Sequence, residues 1–174
     1  MLLDIISSLN SSAFGVASSL ANPSLTALMV LLSESFIVVI PLLALWLYHR
    51  KDKNVFSFVS AFVLFYAVAE LLKVLIAQSR PCIGLPGCEP GFGFPSSHAT
   101  ALAGPYLFLT EYKYLRFLYP VWLFLVLFGR IYLGQHTLIQ VLAGVVISLV
   151  LGYVIYYYRK RVNNAFISHL HIKM

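Results

Sequence analysis

Apolar runs of about twenty residues, each with few charges inside it, recur along this chain of 174 residues. A helix needs ~20 residues to cross the hydrocarbon of a bilayer, so runs of this length leave few alternatives to membrane-spanning helices. Composition agrees: hydrophobic residues make up 60% and charged residues 10%, with a mean hydropathy of +0.87, whereas a soluble domain carries about 25% charged residues. The chain therefore reads as one integral membrane domain over residues 1–174, an all-α, polytopic transmembrane helical bundle. The net charge of +6 calls for no nucleic-acid partner, because membrane proteins retain Lys and Arg in their cytoplasmic loops.

Residues 1–22 are apolar but broken by serines. Leu2, Ile5, Ile6, Leu9 and Ala13 recur at helical spacing, which predicts an interfacial amphipathic helix or a weak sixth span. The segment has no basic start and holds Asp4, unlike a cleaved signal peptide. Asn22-Pro23-Ser24 then breaks the chain and starts a helix. Five spans follow, over residues 25–48, 55–77, 96–110, 117–133 and 138–158. Arg159-Lys160-Arg161 is expected to stop the last one.

With five alternating spans, one face collects Arg50, Lys51, Lys53, Lys113, Arg116, Arg159, Lys160, Arg161 and Lys173, nine of the twelve cations. The positive-inside rule makes that face cytoplasmic. Lys73, Arg80 and Arg130 are left at the opposite end, and His98 and His136 fall at the same level. Taken alone, Arg130 could snorkel from a helix end and His136 could simply cap the next helix. Three cations and two histidines converging without a matching set of carboxylates instead describe an anion site. Only Glu34, Glu70 and Glu89 are acidic in that half beyond the N-terminal segment.

Arginine forks match phosphate oxygens and lysine adds a point charge. Ser96, Ser97 and the free N–H groups where the third span begins add donors at a positive helix end. One histidine can attack phosphorus and another can protonate the leaving oxygen. No His/Cys/Asp spacing suits a metal, so the expected chemistry is metal-independent phosphoryl transfer without a cofactor, driven by positioning and charge stabilisation.

Lys73-x6-Arg80-Pro81, Pro95-Ser96-Ser97-His98 and Arg130-x5-His136 together resemble the three-part signature of the type 2 phosphatidic acid phosphatase superfamily, over about residues 66–150. The resemblance implies a helical bundle in which His136 is the nucleophile and forms a phosphohistidine. His98 would act as general acid and then as base for water, while Lys73, Arg80, Arg130 and Ser96 hold phosphate oxygens. Three positions depart from the broad pattern: Ser97 replaces a glycine, Gly129 a serine, and Gln140 the aspartate four residues after the nucleophile. A carboxylate there orients the nucleophile and stabilises its imidazolium; a glutamine oxygen accepts the same bond without the charge.

Arg80-Pro81-Cys82, the Pro-Ser-Ser-His run and His136-Thr137-x2-Gln140-Val141 are similar to the dolichyl pyrophosphate phosphatase branch. That similarity implies hydrolysis of a polyprenyl diphosphate to its monophosphate on the extracytoplasmic face, recycling a glycan carrier lipid as in N-glycosylation. The membrane would be the plasma membrane in a prokaryote or the endoplasmic reticulum in a eukaryote. Undecaprenyl diphosphate, phosphatidylglycerophosphate and phosphatidate are rival substrates, and a non-catalytic lipid-phosphate binder or transporter is the rival class.

Glu70, three residues before Lys73, reads as its ion-pair partner on one helix face; alternatively Glu70 or Glu34 supplies the carboxylate missing near His136. Cys82 and Cys88 form either an outer-loop disulfide or two free thiols. Gly144-x3-Ser148-x3-Gly152 permits close helix packing, within the bundle or between protomers, and the sequence leaves the oligomeric state open. Tyr153, Tyr156, Tyr157 and Tyr158 fit an interfacial belt, and His49, His169 and His171 fall on the cytoplasmic side without a catalytic role.

Overall fold

The computed structural model describes residues 22–82 and 88–170. The interfacial helix expected over residues 1–22 lies, apart from Asn22, outside the described residues. Asn22 caps α1 (Pro23–Glu34): its side chain accepts from the Leu25 N–H at 2.8 Å, and Pro23 occupies the first turn, where no N–H is needed. Ser35 alone separates α1 from α2 (Phe36–His49). Its backbone stays helical (φ −59, ψ −20), so Pro23–His49 forms a single membrane-long stretch of 27 residues. α3 (Asn54–Ile76) returns and ends on Ala77, which takes a left-handed conformation (φ 52) and donates its N–H to the Lys73 carbonyl at 2.8 Å. A Cys82–Cys88 disulfide lies in the loop that follows.

α4 (Ser97–Ala103) continues directly into a 3-10 helix (Gly104–Leu109), where Pro105 lacks the N–H that an α-helix would use. Together the two rise only about 22 Å, short of the ~30 Å hydrocarbon. Among the described residues, four helical stretches rather than five are therefore long and apolar enough to cross a membrane: Pro23–His49, Asn54–Ile76, Leu115–Tyr132 and Leu138–Arg161. The stretch expected as a third span, 96–110, is the exception; α4 and its 3-10 extension are buried among the other helices.

α5 (Leu115–Tyr132) and α6 (Leu138–Leu170) complete the bundle. The expectation that Arg159-Lys160-Arg161 ends the last helix is overturned, because α6 runs on to Leu170. Basic residues mark a membrane boundary without breaking a helix. Beyond them, the Oδ1 of buried Asn163 accepts from the Ser57 hydroxyl at 2.6 Å and its N–H at 3.2 Å. That pair ties the extension of α6 to the start of α3.

The main core gathers Leu47, Phe58, Phe65, Leu102, Phe108 and Val126 from five of these elements. α4 and the 3-10 helix pack between α3 and α6. The small-residue stripe makes this possible. A Cβ on Gly144 would lie 2.8 Å from the Ala99 Cβ, and one on Gly152 would lie 2.8 Å from the Gly104 Cα. Between them the Ser148 hydroxyl accepts from the Gly104 N–H at 2.6 Å. The stripe thus works inside the bundle. Gly152→Val forces α6 away from the 3-10 helix and is expected to cost about 1–3 kcal/mol; an unchanged melting temperature in detergent would contradict this packing.

Candidate active site

The loop between α5 and α6 sets the geometry. Gly134 takes a positive φ of 67; its N–H bonds the Ile131 carbonyl at 3.0 Å and the Gln135 N–H bonds the Arg130 carbonyl at 3.0 Å. These two bonds are the Schellman closure of α5, and the His136 N–H adds a third, to the same Arg130 carbonyl at 3.2 Å. The spacing of Arg130 and His136 is therefore a helix end followed by one tight turn. On the other side of the turn, the Thr137 hydroxyl accepts from the Gln140 N–H at 3.3 Å while Gln140 Oε1 accepts from the Thr137 N–H at 3.1 Å. This is a capping box that starts α6.

His136 is 2% exposed, and both ring nitrogens have assigned partners. Nδ1 lies 2.9 Å from the Gly93 carbonyl, which can only accept, so Nδ1 carries the proton. Nε2 lies 3.2 Å from Arg80 Nη1, which can only donate, so Nε2 presents its lone pair. Burial first, then the Arg130 and Arg80 charges, hold the imidazole down at about 3, and the Gly93 bond opposes them. A neutral ring whose Nε2 carries a lone pair rather than a proton is the state a nucleophile needs.

One cavity of about 240 Å³ is lined by Lys73, Arg80, Ser97, His98, Arg130 and His136, with Glu34, Phe36, Tyr66, Glu70 and Glu89. Six of the eight residues singled out from the sequence thus converge. Ser96 and Gln140 do not line it. Ser96 is buried as the N-cap of α4, its hydroxyl accepting from the Ala99 N–H at 3.5 Å. Gln140 stands behind His136. Arg130, 1% exposed, does not snorkel; it points into the bundle and donates to Ser33 Oγ at 3.2 Å. His98 packs edge-on against Phe36 with ring centroids 4.8 Å apart. His98 Nε2, Arg80 Nε and Arg130 Nε are buried with no hydrogen-bond partner among the described residues. Buried polar atoms left unpaired are costly in an ordinary core, and three around one cavity mark a place for a ligand.

The expectation of cations without matching carboxylates is overturned. Lys73 Nζ pairs with Glu70 Oε1 at 2.9 Å, Arg80 with Glu89 at 3.3 Å, and Arg130 with both Glu89 at 2.5 Å and Glu34 at 3.4 Å. Tertiary folding makes these pairs, except for the local one between Glu70 and Lys73. Glu70 also accepts from the Ser97 hydroxyl at 2.6 Å, which explains a serine where the broad pattern has glycine. Gly129 likewise has a local reason, since a Cβ there would sit 3.2 Å from the Met29 carbonyl of α1.

Neither Glu34 nor Glu70 bonds His136. The Gly93 carbonyl does; a main-chain acceptor has no side-chain signature, although a glycine between Phe92 and Phe94 is a usable signal. A Cβ on Gly93 would lie 2.7 Å from Gln140 Nε2, so a larger residue there would have to displace the Gln140 amide. Gln140 Oε1 is the more distant acceptor, at 3.3 Å from Nδ1, while its Nε2 donates to Gln78 Oε1 and the Ser79 carbonyl, both at 3.2 Å. Thr137-x2-Gln140 is legible as a capping box. Gln140→Asp would turn a carboxylate toward two acceptors, so it is expected to lower the melting temperature by the equivalent of about 1–3 kcal/mol and not to raise turnover. A variant as stable as wild type with higher turnover would show that the glutamine is merely a degenerate carboxylate.

Comparison with known proteins follows the same lines. The chain is 32% identical over 137 aligned residues to dolichyldiphosphatase 1 of Rhinolophus ferrumequinum, covering 67% of this chain and 58% of that protein's length. The fold is similar to the crystal structure of a transmembrane PAP2 type phosphatidylglycerolphosphate phosphatase from Bacillus subtilis (TM-score 0.73, 22% identity, 90% of this chain and 87% of that one). It is also similar to Aquifex aeolicus LpxE (TM-score 0.71, 23% identity, 84% of this chain and 93% of that one). Residues 54–164, which carry all five cations and histidines that line the cavity together with Ser97, match the PAP2 superfamily as a block, and the chain belongs to that family.

Proposed function

We propose that the protein is a lipid phosphatase that hydrolyses a polyprenyl diphosphate to its monophosphate at the extracytoplasmic end of the bundle. The observation that carries this reading is His136 itself: a buried, neutral imidazole whose Nε2 lone pair faces Arg80 in a cavity shared with Lys73, Arg130 and His98. The distribution of loop cations supports the face. The similarity to dolichyldiphosphatase 1 and the Pro-Ser-Ser-His and His136-x3-Gln140 pattern support the substrate class.

In this mechanism Lys73, Arg80 and Arg130 hold the equatorial oxygens of the terminal phosphoryl group and balance the charge that spreads over them in transfer. Nε2 of His136 attacks the terminal phosphorus, a P–N bond forms, and the bridging P–O bond breaks. The polyprenyl monophosphate leaves on an oxygen protonated by His98, whose ring becomes cationic more readily beside the incoming anion. The Gly93 carbonyl and Gln140 Oε1 hold the Nδ1–H of His136 as its ring becomes positive. His98, now neutral, takes a proton from water. The water oxygen attacks the phosphorus, the P–N bond breaks, and inorganic phosphate leaves with His136 restored. The carbonyl does the orienting that a carboxylate does in a triad, which weakens the case for a non-catalytic binder.

Phosphate release from a panel of lipid phosphates tests this. Wild type is expected to prefer polyprenyl diphosphate over phosphatidylglycerophosphate and phosphatidate, and to keep its activity in excess chelator. His136→Ala is expected to lose about a thousandfold or more while retaining its melting temperature to within a few degrees. Turnover unchanged in His136→Ala would remove the nucleophile assignment, and short-chain phosphatidate outrunning every polyprenyl diphosphate would remove the substrate class.

A further inference from the structure

The three cations of the cavity are matched by three carboxylates, and Glu89 differs from the other two. Glu70 pairs with Lys73 one helical turn away, and Glu34 reaches Arg130 alone at 3.4 Å. Glu89 spans both arginines: Oε1 lies 2.5 Å from Arg130 Nη2 and Oε2 lies 3.3 Å from Arg80 Nη2. Two guanidinium groups fifty residues apart in sequence thus share one bridging carboxylate. Its backbone is fixed as well, because the Glu89 N–H donates to Gln135 Oε1 at 3.1 Å, beside His136, and Cys88 is tied to Cys82. Arginine forks recognise carboxylate and phosphate oxygens by the same geometry. With every cation paired, the formal charge of the cavity is balanced, and a second anion gains little by approaching until one carboxylate gives way.

Resting on the phosphatase reading above, we propose that Glu89 is a resident anion that occupies a phosphate position between Arg80 and Arg130 and is exchanged for the phosphoryl group of the substrate. The exchange has two consequences. Without substrate, the carboxylate keeps two buried guanidinium groups paired and aimed at one point, so the site is preorganised. With substrate, each bound phosphate competes against a charge held at the end of a loop, which sets a threshold that weak anions do not pass. Glu89 is therefore a specificity-determining residue that acts by leaving.

The test is binding of orthophosphate and orthovanadate to the full-length protein in detergent, read by ligand-dependent shifts in melting temperature. Glu89→Gln keeps an acceptor but loses the charge, and is expected to tighten orthophosphate by roughly tenfold, the order set by one charged hydrogen bond. Glu89→Asp keeps the charge but is shorter by one methylene, and is expected to tighten it by a smaller factor because the bridge is broken. Glu34→Gln, which removes a charge from the same cavity without touching Arg80, is expected to change binding less than Glu89→Gln.

If wild type binds orthophosphate and releases phosphate from lipid, but neither Glu89 variant binds more tightly, this inference fails and the phosphatase reading stands. Equal tightening by Glu34→Gln and Glu89→Gln, with none by Glu89→Asp, would also overturn it, because the effect would then be general charge. A wild type that neither binds these anions nor releases phosphate would remove both. Should Glu89→Gln not fold, the Glu89→Asp titration decides alone.

Discussion

Arg130 is the residue around which the cavity end of this bundle is built. Its guanidinium is 1% exposed, and a charge taken so far from water is tolerated only when partners satisfy it. Glu34 and Ser33 come to it from the end of α1, and Glu89 comes from the loop after α3. Its carbonyl meanwhile accepts from Gln135 and His136, so the same residue turns the chain and sets the imidazole beside it. Satisfying one buried cation brings α1, the disulfide-bearing loop and the α5–α6 turn together, and the cavity lies where they meet.

The polar cluster at this cavity is nearly, but not fully, paired. Lys73 and Arg80 also have carboxylate partners, yet Nε of both arginines and Nε2 of His98 remain buried and unpaired. Charge is balanced while donor capacity is left over. That combination suits a ligand richer in acceptor oxygens than a carboxylate, and a phosphoryl group is such a ligand. The tautomer of His136 follows from two neighbours that have no choice, an accepting carbonyl and a donating guanidinium. A backbone carbonyl in place of a carboxylate holds the Nδ1–H without adding negative charge beside the cavity.

Much of this was legible from the chain. The ends of the apolar runs put Lys73, Arg80, Arg130 and two histidines at one level, and they line one cavity, because membrane spans reduce a three-dimensional problem to depth. What depth alone does not carry is pairing. Glu34 and Glu89 lie at the right level, but nothing in their sequence neighbourhood says that both end on Arg130. The Gly93 carbonyl is a main-chain atom and leaves no side-chain signature. Gln140 looks like a substitute for an aspartate, but Thr137-x2-Gln140 is first a capping box. Hydropathy over 96–110 suggests one more α-helical span, whereas from Gly104-Pro105 onward the segment is a 3-10 helix. The basic run at Arg159 looks like a helix end, but Asn163 anchors the helix beyond it.

The central claim is that Nε2 of His136 becomes covalently bonded to phosphorus during turnover. Rapid quenching of the protein with a polyprenyl diphosphate labelled in its terminal phosphate tests it directly. The account predicts label on the chain that is lost in acid and kept in base, that maps to the peptide holding His136, and that is absent from His136→Ala. Phosphate released at full rate with no labelled protein, or label carried on another residue, would contradict it.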